Sequence, residues 1–204
     1  GRSAPGIVLG WALGCWILAT LVADLRERGA KGRMLRLPRA AAGMHLAHLG
    51  VAVFAFGVCM SGDVLQRDAK LGMGDSAGLG GHVFTFRGVR DVHGPNYLAQ
   101  QALIDVHRDG QLVAQLTPEK RLYHHQRSPV TEVAIARGVV RDLYVALAEP
   151  VDGGAAWIVR LRLQPFVNWI WAGALLMALG GALAASDRRY RGREHRHDVP
   201  APAW

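Results

Sequence analysis

The chain has 204 residues, 50% of them apolar, with 24 Lys/Arg against 16 Asp/Glu and a formal net charge of +8. A 20% charged, half-apolar composition excludes a disordered chain and argues against the soluble nucleic-acid binder that the charge alone would suggest. Two cysteines exclude a disulfide scaffold, and no Cys-x-x-Cys is present for zinc or thiol redox chemistry.

No charged residue lies between Arg2 and Asp24, between Arg39 and Asp63, or between Arg162 and Asp187, gaps of 21, 23 and 24 residues. A helix needs about 20 residues to cross the hydrocarbon core. Each gap is therefore expected to hold one transmembrane helix, at about 5–23, 41–61 and 165–186. A signal peptide is a weaker reading of the first run, because it ends in Asp24 rather than at a small-residue cleavage site. The chain starts with Gly rather than Met and reads as truncated. Small residues recur every four positions, Gly6, Gly10 and Gly14 in the first run and Ala174, Ala178 and Ala182 in the third. Such stripes let helices approach closely and suggest partners beyond three spans.

The charge is unevenly placed. Segment 24–39 carries six Lys/Arg and two acids, the tail 187–204 five Arg and three acids, and segment 63–164 is almost neutral. Basic residues beside helix ends mark the cytoplasmic side. The first loop and the C-terminus are thus expected in the cytoplasm, with 63–164 outside. Trp169 and Trp171 open the third run and Tyr190 follows it, as interfacial anchors do.

Segment 63–164 reads as an all-β domain, a barrel or a sandwich, inserted between the second and third helices. Alternation over 82–92, 103–116, 132–136, 142–148 and 157–163 predicts strands. Asp109-Gly110 predicts a tight hairpin, and turns are expected at 72–74, 78–81 and 150–154. Arg87, Arg90, Lys120, Arg121, Arg137 and Arg141 read as solvated strand faces, with an anionic group as an alternative contact. No P-loop, Rossmann fingerprint or G-x-S-x-G is present.

Two histidines, His45 and His48, lie inside the second apolar run. Ionisable residues at membrane depth are functional candidates, and imidazole ligates metals or relays protons. Residues at i and i+3 share a helix face, so one turn cannot supply both axial ligands of a porphyrin. For His48 a structural hydrogen bond and a ligand role stand level on composition. His45, nearer the interface, is expected to bond a neighbour. Met177 is the thioether at similar depth, either a second ligand or packing filler, the latter more common. His82, His93, His107, His124 and His125 are expected to be exposed, His195 and His197 to sit in a solvated tail, and Cys15 and Cys59 to be buried, unpaired apolar residues.

Several stretches together resemble the C-terminal third of CcmF, the membrane haem lyase subunit of cytochrome c-type biogenesis, within the CcmF/NrfE/CcsA haem-handling family. They are GMHLAHLGVAV from Gly43, GPNY from Gly94, PEKRLY from Pro118, RDLYVAL from Arg141 and QPFVNWIWAG from Gln164, running on to Asp187-Arg188-Arg189-Tyr190. The resemblance implies a longer parent protein in the bacterial inner membrane with the β domain in the periplasm. It implies that His48 is an axial ligand of a b-type haem whose partner histidine lies outside this chain, with His45 beside it. It implies covalent attachment of haem, as transferred substrate, to Cys-x-x-Cys-His motifs of apocytochrome c. The haem chaperone CcmE, the apocytochrome-presenting subunits CcmH and CcmI, and membrane lipids are the implied partners, with no nucleic acid. The catalytic residues are not identified, and the fragment alone is expected to be inactive. The alternatives are a cytochrome b-like electron-transfer subunit and a receptor or scaffold built on the β domain.

Overall fold

A computed structural model describes residues 4–31 and 38–187. The remainder of the basic loop, Tyr190, His195 and His197 lie outside the described residues. The chain forms two units, one of Gly1–Met60 with Asn168–Trp204, the other of Ser61–Val167.

The first unit holds three apolar helices of membrane-spanning length: α1 (Ala4–Ala30), α2 (Arg39–Met60) and α3 (Val167–Ala185). The helix α1 overruns the uncharged run, so 24–30 is helix rather than the expected loop. Two ion pairs four residues apart, Asp24–Arg28 and Glu27–Lys31, keep the charged turns helical. At the other boundary, Phe166 takes a φ of 55° directly after Pro165 and sets the start of α3.

Glycine decides how these helices pack. A Cβ on Gly43, Gly50 or Gly57 would strike the α3 backbone near Ala184, Met177 and Ile170, and one on Gly173 or Gly180 would strike α2 near Phe54 and Ala47. The start of α2 therefore meets the end of α3, and the two run antiparallel. Asp187, just past α3, accepts a hydrogen bond from the free Ala40 N–H in the first turn of α2 at 2.9 Å. On another side of α2, Gly10 faces Cys59 and Gly14 faces Phe56, so α1 is also antiparallel to α2. The expected stripe in α1 is thus used at Gly10 and Gly14. That in α3 is not: Ala178 and Ala182 are exposed, and the seam runs along Gly173 and Gly180 instead. Cysteine needs a correction too, since Cys15 is exposed and Cys59 only half-buried; both are free thiols.

The second unit is a β-sandwich. One sheet has the order β1-β10-β9-β8 and the other β2-β3-β4-β6-β7, with β5 also on β4. The strands are β1 (Leu65–Gly72), β2 (Ser76–Leu79), β3 (His82–His93), β4 (Tyr97–Arg108), β5 (Gln111–Leu116), β6 (Glu119–Tyr123), β7 (Val130–Glu132), β8 (Ala134–Ala136), β9 (Arg141–Val151) and β10 (Ala156–Pro165). Trp157, Val159, Leu161 and Leu163 alternate into the core from β10, meeting Phe84, Phe86, Ile104 and Val106 from the other sheet. The residues between them point outward, where Arg160 pairs with Asp68 and Arg162 with Gln66, each directly opposite its partner across the β10–β1 ladder. The Arg160 guanidinium holds the Asp68 carboxyl below its usual range.

Asp109-Gly110 forms the predicted hairpin, with φ of 51° and 78°. Both values are positive, as a type I′ turn requires, which is why Asp-Gly suits the position. Residues 78 and 79, expected in a turn, belong to β2. Pro118 sits fully buried where the partner of β4 passes from β5 to β6, and its carbonyl still accepts from the Ala102 N–H at 2.9 Å. Lys120 is not merely solvated, for it reaches across from β6 to the Ala148 carbonyl on β9 and ties the sheets together.

Candidate functional site

The helix α2 presents three faces, and the two histidines fall on different ones. Gly43, Gly50 and Gly57 face α3, while His45, Phe56 and Cys59 face α1. His48 lies outside both seams and is exposed, one turn from Met44, which is also exposed.

His48 Nδ1 sits 2.8 Å from the Met44 carbonyl oxygen. A carbonyl only accepts, so Nδ1 carries a hydrogen and Nε2 is the ring nitrogen not engaged by it. Among the described residues Nε2 has no hydrogen-bond partner, and it faces outward from an apolar helix. A ring whose tautomer is set by a backbone carbonyl and whose other nitrogen is open has the arrangement of a metal-ligating histidine.

His45 is the opposite case. It is 8% exposed, and both nitrogens are engaged: Nδ1 at 2.6 Å from the Ala41 carbonyl and Nε2 at 2.6 Å from Asp24 Oδ2 on α1. The same Oδ2 accepts from Arg28 Nε at 2.6 Å. Neither ring nitrogen of His45 is therefore open to a metal, and it bonds a neighbour as expected. The neighbour, Asp24, escapes sequence reasoning because it ends the first uncharged run and looks like loop. Its only sequence signal is its four-residue spacing from Arg28.

Met177 is half-buried, and its Cγ would meet a Cβ placed on Gly50 at 2.9 Å. Gly50 and His48 are two residues apart and point about 200° from each other on a helix. The structure thus places Met177 in the α2–α3 seam as filler and does not bring it to His48. Elsewhere His93, His124 and His125 are exposed as expected, His107 is half-buried, and His82 corrects the expectation by being buried at 7% with Nδ1 3.2 Å from the Gly80 carbonyl. Among the described residues no group of three or more His, Cys, Asp or Glu side chains could hold a metal ion.

On the sandwich, a shallow groove of about 590 Å³ runs beside β3, β4 and β6, lined by Val92, His93, Leu98, Leu122 and Arg127. Of the basic strand residues, Arg87 pairs with Asp105 and Arg121 with Glu119, the latter stacked 4.6 Å from the Tyr97 ring centroid. Gln115 and Arg87 together hold the Asp105 carboxyl below its usual range.

Residues 64–165 match the family model described as the CcmF C-terminal beta-sandwich. Over 184 residues the chain is 48% identical to the cytochrome c-type biogenesis protein CcmF of Pseudomonas aeruginosa, covering 88% of this chain and 28% of that protein. Over 187 residues it is 45% identical to Escherichia coli CcmF, covering 91% of this chain and again 28% of the relative. The NrfE protein of Haemophilus influenzae is 35% identical over 148 residues, 72% of this chain and 23% of that one. A solved structure titled Cytochrome c Heme Lyase CcmF shares the fold at a TM-score of 0.65 and 21% identity, covering 90% of this chain and 35% of that one. The chain thus spans little more than a quarter of the length of these curated relatives. With its sandwich matched by the family model and its helices carried along in relatives of high identity, the chain belongs to the CcmF family of cytochrome c-type biogenesis proteins.

Proposed function

We propose that this chain is the C-terminal part of an inner-membrane haem lyase subunit and that His48 Nε2 would be the donor that holds the iron of a resident b-type haem. The observation that carries the reading is the state of His48: Nδ1–H fixed on Met44, Nε2 open, on an apolar helix surface that neither α1 nor α3 covers. That donor fits a haem iron, and a second ligand from outside this chain fits the lack of a facing His or Met among the described residues. Such a haem supplies one-electron chemistry, by which the iron of the substrate haem is held reduced. The residues of this chain orient the His48 ring and keep its surroundings apolar. In the reaction proposed for the whole protein, two Cys thiols of an apocytochrome Cys-x-x-Cys-His motif add across the vinyl groups of the substrate haem.

The antiparallel helices support the expected layout. Arg28, Lys31, Arg39 and Asp187 all belong to one end of the helix unit, the end joined in sequence to the basic segments, which reads as cytoplasmic. The sandwich, inserted between the opposite helix ends, then lies in the periplasm. There it docks the haem chaperone CcmE or the apoprotein held by CcmH and CcmI. The exposed Trp171, Leu175 and Leu179 of α3 and Trp16 of α1 meet lipid or further helices of the parent protein.

The test is a reduced-minus-oxidised spectrum of the full-length protein with and without His48→Ala. Loss of the b-type signal is expected, and unchanged haem content overturns the ligand assignment. Deletion of the parent gene separates a lyase from a simple electron carrier. Cytochromes c lacking covalent haem are expected, whereas normal maturation refutes the lyase reading.

A further inference from the structure

Both connections to the helices leave the sandwich at one end. Leu65, which opens β1, pairs with Leu163, and Arg141, which opens β9, pairs with Pro165. The loop between β8 and β9, residues 137–140, therefore lies at that end. Its Val140 carbonyl accepts from the Phe166 N–H at 2.8 Å, and the residue after Phe166 begins α3.

The chemistry of this loop suits water poorly. Turns in solvent favour Gly, Pro, Asn, Asp and Ser, whereas two adjacent valines stand here, Val139 76% and Val140 47% exposed. Neither belongs to the sandwich core. Arg137 and Arg141 flank them, both exposed, and neither forms an ion pair among the described residues. The acids at the same end are placed elsewhere. Asp142 is buried and accepts from the Gly138 N–H at 2.9 Å, Asp109 sits 3.8 Å from Arg108 at the β4–β5 hairpin, and Asp63 lies in the connection from α2. Exposed apolar side chains between two cations suit a lipid surface. The apolar groups enter the boundary between headgroups and acyl chains, and guanidinium groups stay among the phosphates.

Resting on the reading that α2 and α3 cross the membrane, and independently of the haem ligation, we propose that residues 137–141 form a lipid anchor. Val139 and Val140 enter the bilayer surface, and Arg137 and Arg141 bind lipid phosphate. The sandwich thereby gains a third attachment to the membrane beside its two covalent connections.

The experiment places one nitroxide on the full-length protein in nanodiscs of phosphatidylethanolamine and phosphatidylglycerol, with Cys15, Cys59 and the other native thiols replaced by alanine. The label sits at Val139→Cys, at Met73→Cys or at Leu175→Cys. Oxygen, which concentrates in lipid, and a water-soluble nickel chelate are the two relaxing agents. Met73 is 82% exposed and follows Gly72 at the opposite end of the sandwich. The oxygen-to-nickel accessibility ratio at 139 is expected several-fold above that at 73. Adding Arg137→Gln and Arg141→Gln should lower it toward the value at 73. Nickel access at 139 equal to that at 73 overturns the proposal. Exclusion of both agents from 139 overturns it too, since protein then covers the loop, as does an unchanged ratio in the double arginine variant. Leu175, exposed on α3, keeps the two readings apart. Nickel access at 175 means that α3 does not span, and the proposal falls with that reading; nickel excluded from 175 but not from 139 refutes the anchor alone.

Discussion

Adding one methyl group at Gly173 tests the helix seam directly. The new Cβ would lie 2.5 Å from the Phe54 nitrogen and 2.7 Å from the Gly50 carbonyl oxygen. Ordinary Cβ contacts begin at 3.4 Å, so the shortfall is about 0.9 Å, and both obstacles are backbone atoms that cannot rotate away. The helices must therefore separate or tilt along the seam, loosening the matching contacts at Gly43, Gly50 and Gly180. Overpacking of this kind costs about 1–3 kcal/mol, offset by up to about 1 kcal/mol because alanine favours helix over glycine. Gly181→Ala is the control: nothing lies within 4 Å of its Cβ, so the same chemical change is free of strain. Unfolding of the full-length protein in mixed micelles by increasing dodecyl sulfate should place Gly173→Ala well below wild type and Gly181→Ala at or above it. The double variant Gly50→Ala/Gly173→Ala should cost less than the two singles together, because the first methyl already opens the gap the second needs. Equal midpoints for Gly173→Ala and Gly181→Ala would refute the seam.

Three further outcomes concern the sandwich. Leu147→Ala, at a fully buried site on β9, should destabilise the domain by about 2–5 kcal/mol, seen as faster hydrogen exchange across β9 and β10. Gly88→Ala should cost about 1–3 kcal/mol by the same measure although nothing lies within 4 Å of the new atom, because a φ of 126° strains any residue with a Cβ. Asp105 carries a pH dependence. Its native carboxyl titrates below the ordinary 3.8, so its contribution is complete above that value and is lost as pH falls through the lower native one. Trp157 fluorescence during acid unfolding should show a flatter acid limb in Asp105→Asn; an unaltered limb would remove Gln115 and Arg87 as the cause.

Those strands that bury a face of their own were legible in advance. Trp157, Val159, Leu161 and Leu163 alternate with polar residues, and the period of two is visible without a partner. By contrast β1, with its run Leu-Gln-Arg-Asp-Ala-Lys, exposes almost every side chain and is held by its ladder to β10. In β6, Glu119-Lys120-Arg121 likewise spends its polar groups on Gln101, Ala148 and Tyr97 rather than on solvent. Such strands have no apolar rhythm to find, because pairing supplied by other strands defines them. Between α2 and α3 the informative spacing was seven, whereas α1 meets α2 at Gly10 and Gly14, four apart. Gly43, Gly50 and Gly57 recur every two turns, as do Gly173 and Gly180, which is the period at which two antiparallel helices crossing at a shallow angle meet again. A search for stripes four apart finds Ala174, Ala178 and Ala182, whose abundance reflects an apolar helix rather than a contact.

Asp24 shows why the site was only half legible. A charge count treats it as the end of a membrane run, since an isolated carboxylate does not belong in hydrocarbon. Inside the folded unit it is not isolated, because Arg28 reaches it from the next turn of α1 and His45 from α2. The helix can therefore continue past it, and the charge that seemed to close the span fastens α1 to α2. His48 could be picked out as a lone ionisable group on an apolar helix, yet nothing in its own surroundings distinguishes a ligand from a satisfied histidine. What distinguishes them is which ring nitrogen remains open, and the two histidines answer differently: His45 has spent both, and His48 has spent only Nδ1. Two rings three residues apart thus differ along α2, one bonded to Asp24 on α1, the other outside both helix seams with Nε2 open.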